Sequence, residues 1–410
     1  MGTECRPASR RSLVFSRLKL TKATAYAIRT PPPNYGGYFW YFVKLETDSG
    51  LVGWGETAVL FSMYNHERAF EQLVDGVFNR YLVGRDPMNR DALNKVMYAG
   101  LSSQHADYFV GGIISAFDVA MWDICGKHFG VPVADLLGGR YRDRIRTYTY
   151  VYDTQGQGGL AESAAKWQND PKAVGQLAAK HVDEGFTAIK LDPLYYTLPG
   201  ILPVSPWEVT MEEYDRAERT IEAIREAVGN RADICIGTHG QITPSVSRRL
   251  ARRLEPYDPL WLEEPCPPEN VEEMARIAAG TSIPIATGER LAYVHDFQRL
   301  FAAGACHFAQ PDLGSCGGVT AAKQIAALAE ASYVLMAPHV WGGPVITAAA
   351  MQIDVNVPNF LIQESIYMSR GFFDDIVVEP FRWEEGDLVF EDRPGIGIEL
   401  DERKLEAFRI

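Results

Sequence analysis

The sequence has few positive charges and no long apolar run. Its 410 residues contain 40 Lys and Arg against 53 Asp and Glu, which gives a formal net charge of −13. That balance argues against nucleic acid as a partner. No uninterrupted apolar stretch reaches the roughly 18 residues that would span a bilayer, so we predict no membrane partner either. A small anionic substrate is still compatible with this negative net charge, because a bound divalent cation with one or two basic residues can make the local electrostatic potential positive.

Cysteine is also scarce, with six in the chain and none in a paired CxxC spacing. Most of them lie in apolar stretches, which favours reduced, buried thiols over disulfides and predicts a cytoplasmic protein. Residues 1–6 lack the apolar core of a signal peptide and are predicted to form a loose tail.

Strand patterns precede helix patterns in residues 1–140. Two aromatic and β-branched runs, 38–46 and 50–56, are joined by the turn Asp48–Gly50, which predicts an antiparallel hairpin. From about residue 65 to 130, apolar side chains recur at helical spacing. Strands followed by helices in one block predict an α+β domain over residues 1–140.

A ladder of polar residues follows, each at the end of a short apolar run. By subtraction the rungs are 23 to 27 residues apart: His239, Glu263, Glu289, Asp312, His339 and Glu364. That interval is the length of one strand–loop–helix unit. In a (β/α)8 barrel the carboxyl ends of successive strands converge on one mouth, where such enzymes carry out their chemistry. The sequence therefore predicts an α/β barrel over residues 141–365 with an active site at its mouth.

Two earlier runs, 147–152 and 187–192, predict the first two barrel strands. The next rung comes 49 residues after Lys190, about twice the usual interval. The excess lies in Pro193–Val209, which is rich in proline and aromatic residues and predicts a loop that covers substrate. Residues 366–410 look polar and irregular, and we predict that they pack back against the first domain.

Glu263 and Glu289 follow consecutive predicted strands. Two carboxylates in such positions suit a hard divalent cation, which prefers oxygen ligands. The alternative is a pair of helix-capping or salt-bridged surface glutamates. Their matching positions favour the metal site.

Asp312 and His339 follow the next two strands. A carboxylate beside an imidazole orients the ring and raises its basicity, which is the arrangement of a general base. The alternative is a core histidine satisfied by a buried aspartate.

Lys190, at the end of the second barrel strand, can neutralise a substrate carboxylate or donate to a developing oxyanion. The glycine-rich segment 314–319 opens a helix and could hold an anion with its backbone amides.

Longer motifs surround these residues over nearly the whole chain: Gly53-Trp54-Gly55-Glu56, Ala120–Lys127, Trp261-Leu262-Glu263-Glu264-Pro265, Gly288-Glu289, Gln310-Pro311-Asp312 with Gly317-Gly318-Val319-Thr320, and Pro338-His339. With them the sequence resembles the enolase superfamily, in its mandelate racemase and muconate lactonizing enzyme branch.

That resemblance implies a modified (β/α)8 TIM-type barrel with an N-terminal α+β capping domain, which we expect the C-terminal segment to complete. It implies an essential Mg²⁺ and removal of the proton α to a carboxylate, with the metal stabilising the enediolate. Glu263 and Glu289 would be metal ligands and Asp312 with His339 the base dyad. Lys190 would contact the carboxylate and Glu364 would donate to the enediolate. The family also suggests a homo-oligomer, a dimer or an octamer.

The sequence departs from the family pattern at two positions. The usual acidic ligand after the third strand is replaced by Gly237, and we expect His239, on the same strand face, to supply the third ligand. The rival role for His239 is a general acid, as in some dehydratases of the family. Asp192 stands where racemases carry a second lysine, which makes two-base racemisation a poor fit.

One-base chemistry fits elimination better, so we predict an acid-sugar dehydratase. In it His339 would remove the α-proton and the β-hydroxyl would leave as water. The second hypothesis is a cycloisomerase that opens a sugar lactone or anhydro ring after the same proton abstraction. The third, motivated by the missing ligand, is a non-catalytic relative that serves as a binding protein.

Overall fold

The computed structural model describes residues 17–59, 67–103, 105, 107–152, 170–194, 209–367 and 370–410. The predicted tail at residues 1–6 lies outside the described residues. So does the predicted covering loop, apart from its first two residues, Pro193 and Leu194, and its last, Val209.

The chain begins with a three-stranded antiparallel sheet: β1 (Leu20–Arg29), β2 (Phe39–Thr47) and β3 (Val52–Thr57). The predicted hairpin is confirmed, since β2 pairs with β3 in the register that sets Tyr41 opposite Thr57. Strand β1 was not predicted, because its small and polar residues give a weak pattern. It is held by pairing with almost the whole length of β2.

Helices follow the sheet: α1 (Glu67–Val77), α2 (Arg90–Leu101), α3 (Tyr108–Phe129) and α4 (Val133–Leu136), with short helical turns at Phe78–Leu82 and Pro87–Asn89. Helix α3 begins after Asp107, whose side chain accepts a hydrogen bond from the Val110 amide, and ends at Gly130 with φ +67°. It is long and apolar enough to cross a membrane. However, 89% of its most apolar window is buried inside the protein, as in the core helix of a soluble protein.

The Gly53-Trp54-Gly55-Glu56 motif brings β3 against α3. A Cβ atom on Gly55 would lie 1.7 Å from the carbonyl oxygen of Ala116, and one on Gly53 would lie 2.1 Å from that of Ala120. Only glycine at both positions permits this separation of strand and helix. The contact places Glu56 at the boundary with the barrel.

After the short strand β4 (Arg144–Ile145), eight parallel strands form the barrel: β5 (Thr147–Tyr150), β6 (Ala188–Leu191), β7 (Asp233–Gly237), β8 (Trp261–Glu263), β9 (Ile285–Thr287), β10 (Phe308–Ala309), β11 (Leu335–Met336) and β12 (Gln363–Glu364). They pair in chain order, and β12 pairs with β5. A parallel bridge between Met336 and Phe360 joins β11 to the segment leading into β12, so the barrel closes. The predicted α/β barrel is confirmed.

Helices alternate with these strands: α5 (Pro171–Asp183), α6 (Met211–Val228), α7 (Pro244–Leu254), α8 (Val271–Ala278), α9 (Tyr293–Ala302), α10 (Gly318–Ala331) and α11 (Pro344–Asn356), with a short helical turn at Glu255–Tyr257. Several have side-chain caps. Helix α6 has a full capping box between Thr210 and Glu213, and Thr243 accepts from the amide of Val246 in α7.

The C-terminal segment is more regular than we expected. It contains α12 (Arg370–Ile376), β13 (Arg382–Glu384), β14 (Asp387–Val389) and α13 (Glu402–Leu405), and β14 pairs with β4. The last residues meet β1, where the Arg29 amide donates to the Phe408 carbonyl at 2.9 Å. The boundaries 1–140, 141–365 and 366–410 stay predictions.

Candidate active site

The predicted strand-end residues gather at the carboxyl ends of the barrel strands. Lys190 lies at the end of β6 and is fully buried. Its Nζ donates a short hydrogen bond to Glu263 Oε1 and lies 3.9 Å from Glu364 Oε1. Burial disfavours its charge, but the nearby Glu263 carboxylate outweighs this and holds the pKa of Lys190 above its usual value. A fixed cation therefore lies at the floor of the site.

Glu263 ends β8 and is also fully buried. Its Oε2 accepts hydrogen bonds from Trp261 Nε1 at 3.0 Å and from Gln310 Nε2 at 2.8 Å. These donors and Lys190 fix the orientation of the carboxylate without any bound ion. Such fixed carboxylates suit a site whose ligands are held in place before the metal arrives.

His239, Glu263 and Glu289 each offer one ligand atom, and these atoms all lie within 4.8 Å of one another. Glu289 is buried, and its Oε2 has no hydrogen-bond partner among the described residues. A buried carboxylate oxygen without a donor is costly unless a cation satisfies it. Two carboxylates and one imidazole therefore fit a divalent cation, with a nitrogen in place of one oxygen ligand.

His239 has φ +49°, which is uncommon for a residue with a side chain. The backbone conformation turns the ring into the site, where Nδ1 lies 3.9 Å from Glu289 Oε1 and Nε2 lies 3.2 Å from Asp192 Oδ1. Burial opposes the charged ring, but the carboxylates of Asp192 and Glu289 outweigh it and raise the pKa of His239. A metal ion would have to displace that proton to use the ring as a ligand.

Asp312 and His339 form the predicted dyad. Nδ1 of His339 lies 2.6 Å from Asp312 Oδ2, and the Gly314 amide donates to Asp312 Oδ1 at 2.6 Å. The other ring nitrogen, Nε2, lies 3.5 Å from Glu364 Oε2 and 3.6 Å from Glu289 Oε2. Burial lowers the pKa of His339, but the three carboxylates outweigh burial and raise it to about 10. The geometry suits a base whose Nε2 faces Glu289 and Glu364.

Glu364 ends β12 on the opposite side of the barrel mouth from the Glu263–Glu289 pair in strand order. Its Oε1 accepts a short hydrogen bond from the hydroxyl of Tyr150, and its Oε2 accepts one from the Val340 amide at 2.6 Å. All seven residues expected from the sequence therefore lie around one space, and their roles stay predictions.

The structure adds residues that the sequence did not single out as part of the site. Arg290, directly after Glu289, lies 3.1 Å from Glu264 Oε2 and donates to the His239 carbonyl at 2.6 Å. Glu264 is buried, and burial raises its pKa to about 8. Tyr152 donates a short hydrogen bond to Asp192. The sequence could have indicated Arg290, because it is a basic residue directly after a glutamate at the end of a predicted strand.

The expected anion cradle at residues 314–319 is wrong. Its amides bind groups of the protein itself: Gly314 donates to Asp312, and Gly317 donates to the Ser115 hydroxyl at 2.9 Å. The first turn of α10 is satisfied by Asp118, which accepts from the Thr320 amide at 3.0 Å. These amides already donate to side chains of the protein, so they are not available to bind an external anion.

The five described cysteines, from Cys125 onwards, are all free and buried, as predicted. Burial raises the pKa of the Cys125 thiol to about 11, because the thiolate would be poorly solvated. These thiols are inert core groups.

Comparison with protein families matches residues 39–138 to the mandelate racemase / muconate lactonizing enzyme N-terminal domain and residues 173–404 to the enolase C-terminal domain-like family. D-galactonate dehydratases from Pectobacterium atrosepticum and Verminephrobacter eiseniae are each 35% identical over 396 residues, covering 94% of this chain and 93% of theirs. A solved mandelate racemase/muconate lactonizing enzyme from Jannaschia sp. CCS1 is 37% identical with a TM-score of 0.88, covering 96% of this chain and 98% of its own. The chain is a member of the mandelate racemase and muconate lactonizing enzyme family of the enolase superfamily.

Proposed function

We propose that the protein is a sugar acid dehydratase that removes the proton α to a carboxylate and then expels the β-hydroxyl as water. The observation that carries this proposal is the base dyad of His339 with Asp312, whose free ring nitrogen Nε2 lies 3.5 Å from Glu364 Oε2 and 3.6 Å from Glu289 Oε2. The position two residues after Lys190 holds Asp192 and not a second lysine. The similarity to D-galactonate dehydratases supports the same reaction class.

The dyad would carry the proton through the whole reaction. Asp312 holds the Nδ1 side of the ring, so Nε2 presents its lone pair to the substrate. Nε2 takes the α-proton as the carbon–hydrogen bond breaks. The imidazolium then gives that proton to the departing β-hydroxyl, which leaves as water while the carbon–carbon double bond forms. One group acting as base and then acid keeps the protons balanced.

The negative charge that develops on the substrate carboxylate needs cationic partners. Lys190 would contact one carboxylate oxygen, and its fixed position means that no side-chain ordering is needed during the reaction. In its protonated form Glu364, whose oxygens accept hydrogen bonds from Tyr150 and the Val340 amide, would donate a hydrogen bond to the same oxyanion. Both groups lie on strand ends and not on loops, which fixes their separation.

We propose that Glu263, Glu289 and His239 hold Mg²⁺. When bound, Mg²⁺ supplies positive charge that stabilises the developing dianion of the substrate. The close approach of the three ligand atoms and the buried Glu289 oxygen without a donor support this assignment. The rival role for His239, a general acid, predicts unchanged Mg²⁺ affinity in His239→Ala.

The substrate would be a polyhydroxylated acid, and D-galactonate is the first candidate because the two dehydratases named above act on it.

We further propose a cytoplasmic location, which the free, buried thiols support. The expected homo-oligomer, a dimer or an octamer, stays a prediction.

The test is incubation of the Mg²⁺-loaded enzyme with an acid-sugar library, including D-galactonate, in H₂O and D₂O. A product lighter by one water supports the dehydratase, and His339→Asn should abolish it while retaining Mg²⁺ affinity. A product of unchanged mass in H₂O that gains one deuterium in D₂O would identify a cycloisomerase. No turnover together with no Mg²⁺ binding would indicate a non-catalytic binding protein.

A further inference from the structure

The third barrel strand ends in a position that has no room for a side chain. Gly237 is the register partner of Glu263, so a carboxylate there would lie beside the proposed ligands. A Cβ atom on Gly237 would lie 2.0 Å from Oδ1 of Asp192, well inside van der Waals contact. The Asp192 carboxylate, which comes from the end of the second strand, therefore occupies the space that a side chain at position 237 would need.

One oxygen of Asp192 accepts a hydrogen bond, and the other lies within ion-pair distance of His239. Asp192 is 8% exposed. The hydroxyl of Tyr152 donates to Oδ2, and Tyr152 is itself stacked on Tyr150 with ring centroids 5.0 Å apart and planes 14° apart. Oδ1 lies 3.2 Å from Nε2 of His239. A carboxylate fixed in this way can in turn fix the ring that it contacts.

The His239 ring bridges Asp192 and the proposed metal ligands. Nε2 faces Asp192, while Nδ1 faces Glu289 Oε1 at 3.9 Å. A histidine that binds a metal through one nitrogen commonly donates from the other to a carboxylate, which fixes its tautomer and orientation. The two nitrogens of His239 are divided between a carboxylate and the ligand cluster in this way.

We propose that Asp192 is a positioning residue for metal binding: it replaces, from the second strand, the carboxylate that the third strand lacks, and it acts by orienting His239 toward Glu263 and Glu289. Gly237, Asp192 and His239 then form one coupled set, because the glycine makes the space that the aspartate fills. This inference rests on the proposed Mg²⁺ site.

The test measures Mg²⁺ and Mn²⁺ affinity calorimetrically, without substrate, on folded protein verified by circular dichroism. Asp192→Asn keeps the shape but removes the charge, and we expect about 10- to 100-fold weaker binding. The control is Asp183→Asn, which removes a carboxylate that pairs with Arg231 at the protein surface and should leave metal affinity unchanged. Equal losses in the two variants would overturn the proposal, as would unchanged affinity in Asp192→Asn.

A double-variant cycle tests directly whether the second strand supplies the carboxylate that the third strand lacks. Gly237→Asp alone should weaken binding or stability, because its Cβ would collide with Asp192. Asp192→Ala should weaken binding, and the double variant Asp192→Ala/Gly237→Asp should recover most of the loss, a non-additive result. If the double variant folds but its metal affinity does not recover, the proposed replacement of one carboxylate by the other is refuted. Wild-type protein that binds no metal would refute the metal site itself, whereas wild-type binding with insensitive variants would refute only the role of Asp192.

Discussion

Asp312 and His339 are joined twice, by a parallel backbone bridge and by a 2.6 Å contact between Oδ2 and Nδ1. The bridge fixes the backbone of the dyad in the segments that follow β10 and β11, and the contact fixes its side chains. The ring therefore has little freedom to turn its Nε2 away from Glu289 and Glu364.

Asp312→Asn should lower kcat by about 10²- to 10⁴-fold, because the amide no longer stabilises the imidazolium or selects its tautomer. The rising limb of kcat/KM against pH should also move to lower pH. The sign follows from the charge: the Asp312 carboxylate helps to hold the pKa of His339 at about 10, and removing it lets the ring lose its proton earlier. A pH–rate profile at saturating Mg²⁺ measures both effects. An unchanged profile would contradict the dyad.

Lys190→Met should cost about 3–5 kcal/mol of stability, because it leaves the buried Glu263 carboxylate without its charged partner. Urea unfolding in the presence of EDTA measures this cost without compensation from a cation. The control is Lys180→Met, whose side chain is 63% exposed and lies 3.8 Å from Glu184. That surface pair should contribute about 1 kcal/mol or less. Equal costs in the two variants would show that Lys190 is not paired as described.

Gly55→Ala should destabilise the protein by about 1–3 kcal/mol or more, because the added Cβ would lie 1.7 Å from the Ala116 carbonyl. Gly76→Ala is the control. Gly76 lies inside α1, where an added Cβ would have no atom of a neighbouring element within 4 Å, so alanine should stabilise by up to about 1 kcal/mol. Chemical denaturation gives both values. Stabilisation by both variants would refute the close contact between β3 and α3.

Glu56→Gln should change how stability depends on pH. Burial raises the pKa of Glu56 to about 8, so the folded state holds this proton more tightly than the unfolded chain does. Its contribution is therefore present below the ordinary carboxyl pKa and is lost as pH rises through about 8. The melting temperature of the wild type relative to Glu56→Gln should fall between pH 6 and pH 9. A constant difference across that range would contradict the shift.

The barrel was predictable because the pattern repeats. Each short apolar run is followed or closed by a polar residue, and a closed parallel barrel brings those residues together in a ring. Glu263 and Glu289 come together for this reason alone. The hairpin was equally visible, since its turn chemistry is local.

What the sequence did not reveal depends on contacts between distant residues. Asp192 was visible as a departure from a family pattern, but its packing into the space above Gly237 depends on the separation of two strands. Strand β1 depends on pairing with β2 more than on its own composition. The glycines of segment 314–319 suggested an anion site, because nothing local shows that Asp118 and Ser115 reach their amides from α3.

Glu56 reaches out of the first sheet to accept hydrogen bonds from the amides of Gly343 and Ile346, at the start of the helix that follows His339. The first domain and the barrel are therefore connected within a few residues of His339. A barrel expressed without its first 57 residues would lose the acceptor for both amides. The N-terminal domain could be exchanged for that of a relative to alter substrate choice. Such an exchange would have to keep this glutamate and its hydrogen bonds to the barrel.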